Sequence, residues 1–233
     1  MADTNVELKL RNVRISFANL FKPQEFKDAQ TGKVRWTYNV NALIPKYLPD
    51  GSVNPQMAQC QEAIRQAIVA RWGDKAPKIP AERRCFRDGE PKDPDTGQRE
   101  ALYDGYEGCC FLSANKTVEG PEAPNPLVLI DSRKGPDGKF PRLKLSDGKL
   151  YSGCVVDMIV RVYGFDGSKL RVPDRVNASL EAVKFVRHGE AFGAKPVDAE
   201  SSFEEEAAED GFDEPTAKSQ APAADADADG MLG

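Results

Sequence analysis

Apolar and polar residues alternate along much of this chain, and the alternation has the two-residue period of half-buried β-strands. Val6, Leu8 and Leu10 alternate with Glu7, Lys9 and Arg11 in a strand expected over 6–17. The stretch 25–46 is expected to turn at Thr31-Gly32 and then run as a strand. Its even positions Val34, Trp36, Tyr38, Val40, Ala42 and Ile44 are apolar, its odd positions Arg35, Thr37, Asn39 and Asn41 are polar, and Pro45 ends it. Further strand patterns fall at 106–114, 126–133, 139–145, 150–165 and about 178–188. The turn pairs Asp137-Gly138, Asp147-Gly148 and Asp166-Gly167 separate several of them.

One segment changes period. Met57, Cys60, Ile64, Ala67, Ile68 and Trp72 recur at three- and four-residue spacing, with Ser52 or Asn54 as N-cap, Pro55 in the first turn and Gly73 as the stop. That predicts a helix, with Trp72 on its core side. About seven strands and one main helix predict a mostly β domain, an antiparallel sheet closed into a small barrel; a sandwich is the second choice. Residues 74–105, rich in Pro, Gly and charge, make a long connection of the kind that is usually functional or mobile.

Charge divides the chain. The whole carries 32 bases and 37 acids, net −5. Twelve of the acids but only one base, Lys218, lie between Asp198 and Gly233. The first 197 residues therefore hold 31 bases and 25 acids, net +6, and the tail carries −11. Composition predicts a folded domain over 1–197 and a disordered acidic tail over 198–233. A basic body with an acidic tail suits a polyanion partner; a solubility tail on an ordinary domain would have the same composition.

No stretch approaches the apolar length of a membrane helix, and the N-terminus lacks a signal-peptide core. Five cysteines without a secretion signal are expected to be reduced thiols, and the expected compartment is cytoplasmic.

Catalytic chemistry has little material. His188 is the single histidine. There is no C-x-x-C pair, and adjacent Cys109 and Cys110 would point to opposite faces of a strand. "DPDTG" at 93–97 reads as a turn, and no phosphate-binding glycine loop is present. No enzyme activity, metal or cofactor is expected.

The non-core strand faces hold more. Opposite the apolar row Cys154, Val156, Met158, Val160 and Val162 lie Tyr151, Asp157, Arg161 and Tyr163. Opposite Cys110, Leu112 and Ala114 lie Glu107, Phe111, Ser113 and Asn115, with Lys116 next. Phe111, Tyr151 and Tyr163 are the candidate rings for stacking on bases. Arg35, Arg83, Arg84, Arg87, Lys116, Arg133, Lys134, Lys139 and Arg161 are the candidate phosphate contacts. Any one such base is ordinarily a solvated surface charge. Aromatic and basic residues combined on non-core faces are the signature of a groove for single-stranded nucleic acid. Duplex recognition would ask for a basic recognition helix, which the 55–72 segment is not.

The stretches "RCFRDGE", "YEGCCFLSANK", "LYSGCVVDMIVRVYGF" and "VKFVRHGEAFG" resemble the phage single-stranded DNA-binding proteins of OB fold, over roughly 5–195. The resemblance implies coating of single-stranded DNA in phage replication and recombination, in the cytoplasm of the bacterial host. It also implies a tail that recruits a phage or host polymerase, helicase or nuclease. Tails of that family commonly end in an aromatic residue, whereas this chain ends "DADADGMLG". Phe203 and Phe212, inside acidic runs, are the nearest equivalents, with Met231-Leu232 at the terminus. The alternatives are a magnesium-dependent nuclease, a phage structural protein that binds no DNA, and an RNA-binding OB protein.

Overall fold

In the computed structural model, residues 5–27, 32 and 34–192 are described. Seven strands form one sheet in the order β3-β4-β2-β1-β6-β7-β5. They are β1 (Val6–Lys27), β2 (Val34–Pro45), β3 (Phe86–Asp88), β4 (Cys109–Val118), β5 (Val128–Ile130), β6 (Val155–Phe165) and β7 (Arg175–Arg187). A parallel contact between Asn115 and Ser179 joins β4 to β7. This closes β1, β2, β4, β7 and β6 into a five-stranded OB-like barrel, as the strand count and turn spacing predict.

Period-two alternation sets the inside. Tyr38, Val40, Ala42 and Ile44 of β2 meet Leu112 and Ala114 of β4 and Met158, Val160 and Val162 of β6 in one core. The 22-residue β1 serves two neighbours, pairing with β6 through its first half and with β2 through its second. Register shifts between Leu10 and Val13 and between Ser16 and Gln24 let it bend from one to the other. The first shift moves the inward row from Leu8 and Leu10 to Val13 and Ile15.

The helix α1 (Pro55–Trp72) starts where the Asn54 side chain accepts from the Gln56 N–H at 3.0 Å and stops at Gly73, φ 58°. Its buried face, Cys60, Ala63, Ile64 and Ala67, packs against β6 and β1. Burying Ile64 stabilises by roughly 1.5–3 kcal/mol, and the small Cys60, Ala63 and Ala67 let the helix lie close to the strands. Trp72 packs on the core, as its phase predicts. The approach requires Gly164: a Cβ there would stand 2.5 Å from the Trp72 ring and 2.7 Å from the Arg71 Cβ.

Several local expectations need correction. Residues 139–145 form no strand; Arg142 makes one isolated bridge to Ile130. Asp137-Gly138 and Asp147-Gly148 are therefore turns in a connection, and Asp166-Gly167 alone of the three pairs lies between adjacent paired strands. β6 begins at Val155 because residues 151–154 turn, with Gly153 at φ 116°. The short edge strand β3 has too few residues to show a period. Thr31 of the expected hairpin turn lies outside the described residues, as do the acidic tail and the expected boundary at 197. Met1–Ala194 forms one compact unit.

All five cysteines are free thiols. Burial pushes Cys60 and Cys85 up to about 12 and Cys110 up to about 11, so these thiols are unreactive core groups. No helix among the described residues is long and apolar enough to cross a membrane.

Candidate nucleic-acid interface

Register fixes which side chains share the outer face of β2 and β4. Thr37 opposes Thr117, Asn39 opposes Asn115, Asn41 opposes Ser113 and Leu43 opposes Phe111. From β1, Phe26 opposes Arg35, Gln24 opposes Thr37 and Asn19 opposes Asn39. The outer face is thus a neutral polar strip, rich in carboxamides, with apolar residues at both ends.

Two hairpin arms turn the strip into a cleft. The β1–β2 arm supplies Phe26 and Arg35, and the β6–β7 arm supplies Tyr163, Phe165 and Arg175. Thr37, Asn39, Asn115, Thr117 and Asn177 form the floor. Sharing Asn115, Arg175 and Asn177, the cleft continues into a second concavity lined by Arg83, Arg84 and Arg87. Sharing Arg87 and Asn39, it continues into a third, lined by Phe17, Leu102, Tyr103 and Phe111. Tyr163 links it to a fourth, with Lys116, Arg161, Ser179 and Glu181. One groove therefore crosses the β2–β4 face, where OB folds take single strands.

Its charge is positive: seven bases line it against Glu82 and Glu181. Arg35, Arg83, Arg87 and Arg175 form no ion pair among the described residues. The Arg175 guanidinium stands 5.8 Å from the Phe165 ring centroid. Lys116 is paired, 2.9 Å from Glu181. Burial alone would raise the Glu181 carboxyl, but hydrogen bonds from Lys116 and the Ser179 hydroxyl hold it below the ordinary glutamate range.

Of the residues expected from sequence, Arg35, Arg83, Arg87, Lys116, Arg161 and Tyr163 come together in this groove. The others are placed differently. Phe111 points outward as its parity predicts, yet it is 3% exposed, covered by the 89–108 loop and packed on Leu43 and Tyr106. It supports the groove and offers no free face. Tyr151 precedes β6, so strand parity does not apply to it. Its ring stacks on His188, and its hydroxyl donates to the Gly189 carbonyl at 2.8 Å. Arg84 lines the groove but donates twice to the Ile79 carbonyl, at 2.9 and 2.6 Å. Arg133, Lys134 and Lys139 lie beyond β5, which pairs with Ala182–Lys184 of β7, whereas the groove uses Arg175 to Glu181. Phe203 and Phe212 lie outside the described residues.

Residues not anticipated are Phe17, Phe26, Tyr103, Phe165 and Arg175. Phe165 continues the odd row of Tyr163 and was within reach of the same parity. Arg175 follows from its pairing with Phe165. Phe17, Phe26 and Tyr103 depend on a register shift, a hairpin register and a loop path, which leave no periodic trace.

Among the described residues no group of three or more His, Cys, Asp or Glu is placed to hold a metal ion. The "DPDTG" segment is a turn: the Asp93 carboxylate accepts from the backbone N–H groups of Asp95 and Thr96 at 2.9 and 2.6 Å.

Residues 6–213 match the family described as the ssDNA-binding protein of Enterobacter phage Enc34. Protein p50 of Acyrthosiphon pisum secondary endosymbiont phage 1 is 34% identical over 207 residues, covering 86% of this chain and 94% of its own. The single-stranded DNA-binding protein from bacteriophage Enc34 in complex with ssDNA shares 20% identity at a TM-score of 0.57. That match covers 83% of this chain and 96% of the other. The same phage protein without DNA aligns at a TM-score of 0.54 and 20% identity, over 87% of this chain and 96% of its own. At this identity the structural likeness establishes the fold.

Proposed function

This chain belongs to the family of the Enterobacter phage Enc34 single-stranded-DNA-binding protein, and we propose that it coats single-stranded DNA through the groove across β2 and β4. The observation that carries this reading is the meeting, on one concave surface, of exposed rings with arginines that form no ion pair among the described residues. Arg35, Arg83, Arg87 and Arg175 supply phosphate contacts, and Phe26 (58% exposed), Tyr163 and Phe165 offer faces to bases. Stacking is blind to sequence because every base has a π-face, and each stacked base contributes about 1–3 kcal/mol. The neutral carboxamide floor adds hydrogen bonds without selecting one base.

The protein acts without catalysis, in phage replication and recombination inside the host cell. Its −11 tail lowers the affinity of the +6 body for DNA, as a tethered polyanion competing with phosphate, and engages replication partners once DNA is bound. Phe203 and Phe212 are the tail residues proposed to make those contacts.

Fluorescence anisotropy with single-stranded DNA, duplex DNA and RNA of equal length, at several salt concentrations, tests the reading. Single-stranded DNA is expected to bind with little sequence preference, and affinity to fall as salt rises because phosphate contacts release counterions. A flat salt dependence, or preference for duplex, would overturn it.

A further inference from the structure

The third concavity of the groove holds two exposed rings that a DNA path confined to the two hairpin arms would leave unused. Phe17 is 46% exposed and Tyr103 is 54% exposed. They meet edge to face, centroids 4.9 Å apart. Tyr103 rests on buried Tyr106 at 5.3 Å, and Tyr106 on Phe111 at 5.2 Å. The Tyr106 hydroxyl lies 2.6 Å from the Ser16 hydroxyl and accepts from the Asn41 carboxamide at 2.8 Å. The pair thus stands on a fixed base.

Phe17 also has φ 50°, a left-handed backbone that is a true outlier for a bulky residue. The strain is held from both sides. The Phe17 carbonyl accepts from the side chains of Asn19 and Asn39 at 3.3 and 3.2 Å, and the Ala18 N–H donates to the Ser152 hydroxyl at 3.1 Å. Backbone strain of this kind clusters at binding sites, and this ring is left half in solvent.

The loop that carries Tyr103 is equally fixed. The Leu102 N–H donates to Gly89 and the Gly89 N–H to Cys109, at 2.8 and 2.9 Å. A Cβ at Gly89 would stand 2.7 Å from the Cys109 carbonyl oxygen, so the loop lies directly on β4.

We propose that Phe17 and Tyr103 form a second base-stacking subsite, so that a strand lying between the hairpin arms continues past Asn39 and Arg87 onto these rings. The proposal rests on the groove's being a single-strand-binding surface. The walls favour a nucleobase over an apolar side chain. Gln24, Asn39 and Asn41 line the same concavity, and a base has polar edges for carboxamides to meet while its face covers a ring. Arg87 at the junction is placed for the phosphate between the two stacking regions.

The test uses the full-length protein and a labelled oligothymidine of about 16 nucleotides, the upper end of what one OB fold covers. Glycine suits the backbone of residue 17, so Phe17→Gly is expected to melt no lower than wild type while its affinity falls. Phe17→Gly and Tyr103→Ala are each expected to lower affinity at least about fivefold, corresponding to the ~1 kcal/mol lower end for a stacked base. A bromodeoxyuridine-substituted oligonucleotide should photo-crosslink to Tyr103 or Phe17, read by mass spectrometry. If wild type binds but both variants stay within twofold of it, the second subsite is wrong and the single-strand reading stands. Crosslinks only at the hairpin arms would likewise overturn the second subsite alone. If wild type itself does not bind, both fall together.

Discussion

The guanidinium of Arg87 lies over the Phe111 ring, 4.8 Å from its centroid, and donates to the Ser113 hydroxyl at 3.2 Å. Ser113 in turn donates to the Asn41 carboxamide at 2.7 Å, so one relay ties this arginine to the floor of the groove. Phe111 is consumed in supporting Arg87. The arginine faces two concavities at once, and its Nε is buried with no hydrogen-bond partner among the described residues.

Arg87→Ala should therefore weaken single-stranded DNA binding and reduce the slope of log affinity against log salt by about one. Arg87→Lys should restore little of this, since an ammonium cannot lie as a plane between ring and phosphate. Salt titrations of the two variants check both statements. An unchanged slope in Arg87→Ala would remove Arg87 from the phosphate path.

The three rings selected from sequence should separate on substitution. Tyr163→Ala removes a ring of the cleft and should cost about 1–3 kcal/mol of DNA binding. Phe111→Ala opens a cavity in a buried cluster and should cost about 3–5 kcal/mol of stability. Tyr151→Ala should lower the melting temperature and leave DNA affinity unchanged, because its hydroxyl and ring are engaged with Gly189 and His188. Thermal melts beside binding isotherms distinguish the three. Loss of DNA binding by Tyr151→Ala at unchanged stability would reverse its assignment.

That division marks what the sequence could carry. Strand parity says which side a residue faces, and it placed Arg35, Tyr163 and Phe111 on the outer face correctly. It does not say what covers that face. Phe111 is roofed by a loop whose course is set by Gly89 and by the ion pairs of Asp88 with Lys46 and Arg99, all long-range or conformational facts. Tyr151 failed for another reason: the parity of 154–162 was extended back through a turn at Gly153, where strand parity no longer applies. The barrel itself was legible because closing five alternating strands buries their five inward apolar rows together with the helix stripe. The groove's second half was not, because Phe17 owes its position to a register shift.

Asp157 offers a pH test of the β1 bend. Its carboxylate accepts from the Asn12 N–H at 3.0 Å and pairs with Arg11 at 3.1 Å and Lys184 at 2.7 Å, pinning the left-handed Asn12 at the first register shift. Burial alone would raise this carboxyl, but the hydrogen bonds from Lys184, Asn12 and Arg11 hold it below the ordinary aspartate range. A depressed carboxyl stabilises the fold above its unfolded value of about 3.9, and that contribution is lost as pH falls through the folded value. Asp157→Ala should cost about 1–3 kcal/mol at pH 7. Its deficit against wild type should narrow below about pH 4, as read by urea denaturation. A deficit independent of pH would mean that packing, not the charge, is what Asp157 contributes.

Deletion of residues 198–233 tests the competitor reading of the tail. The segment holds twelve carboxylates and one lysine, so its removal changes the net charge from −5 to +6. Its composition offers little apolar surface to the core, so the truncated protein should melt close to the full chain. Single-stranded DNA should then associate faster and bind more tightly at low salt, because the body's positive groove is no longer opposed by a tethered polyanion. The advantage should shrink as salt rises, since a Debye length of ~8 Å at physiological ionic strength screens tail and DNA alike. Full-length and truncated proteins titrated side by side at low and high salt give the comparison. Weaker binding by the truncated protein at low salt would mean that the tail belongs to the binding surface and does not compete for it.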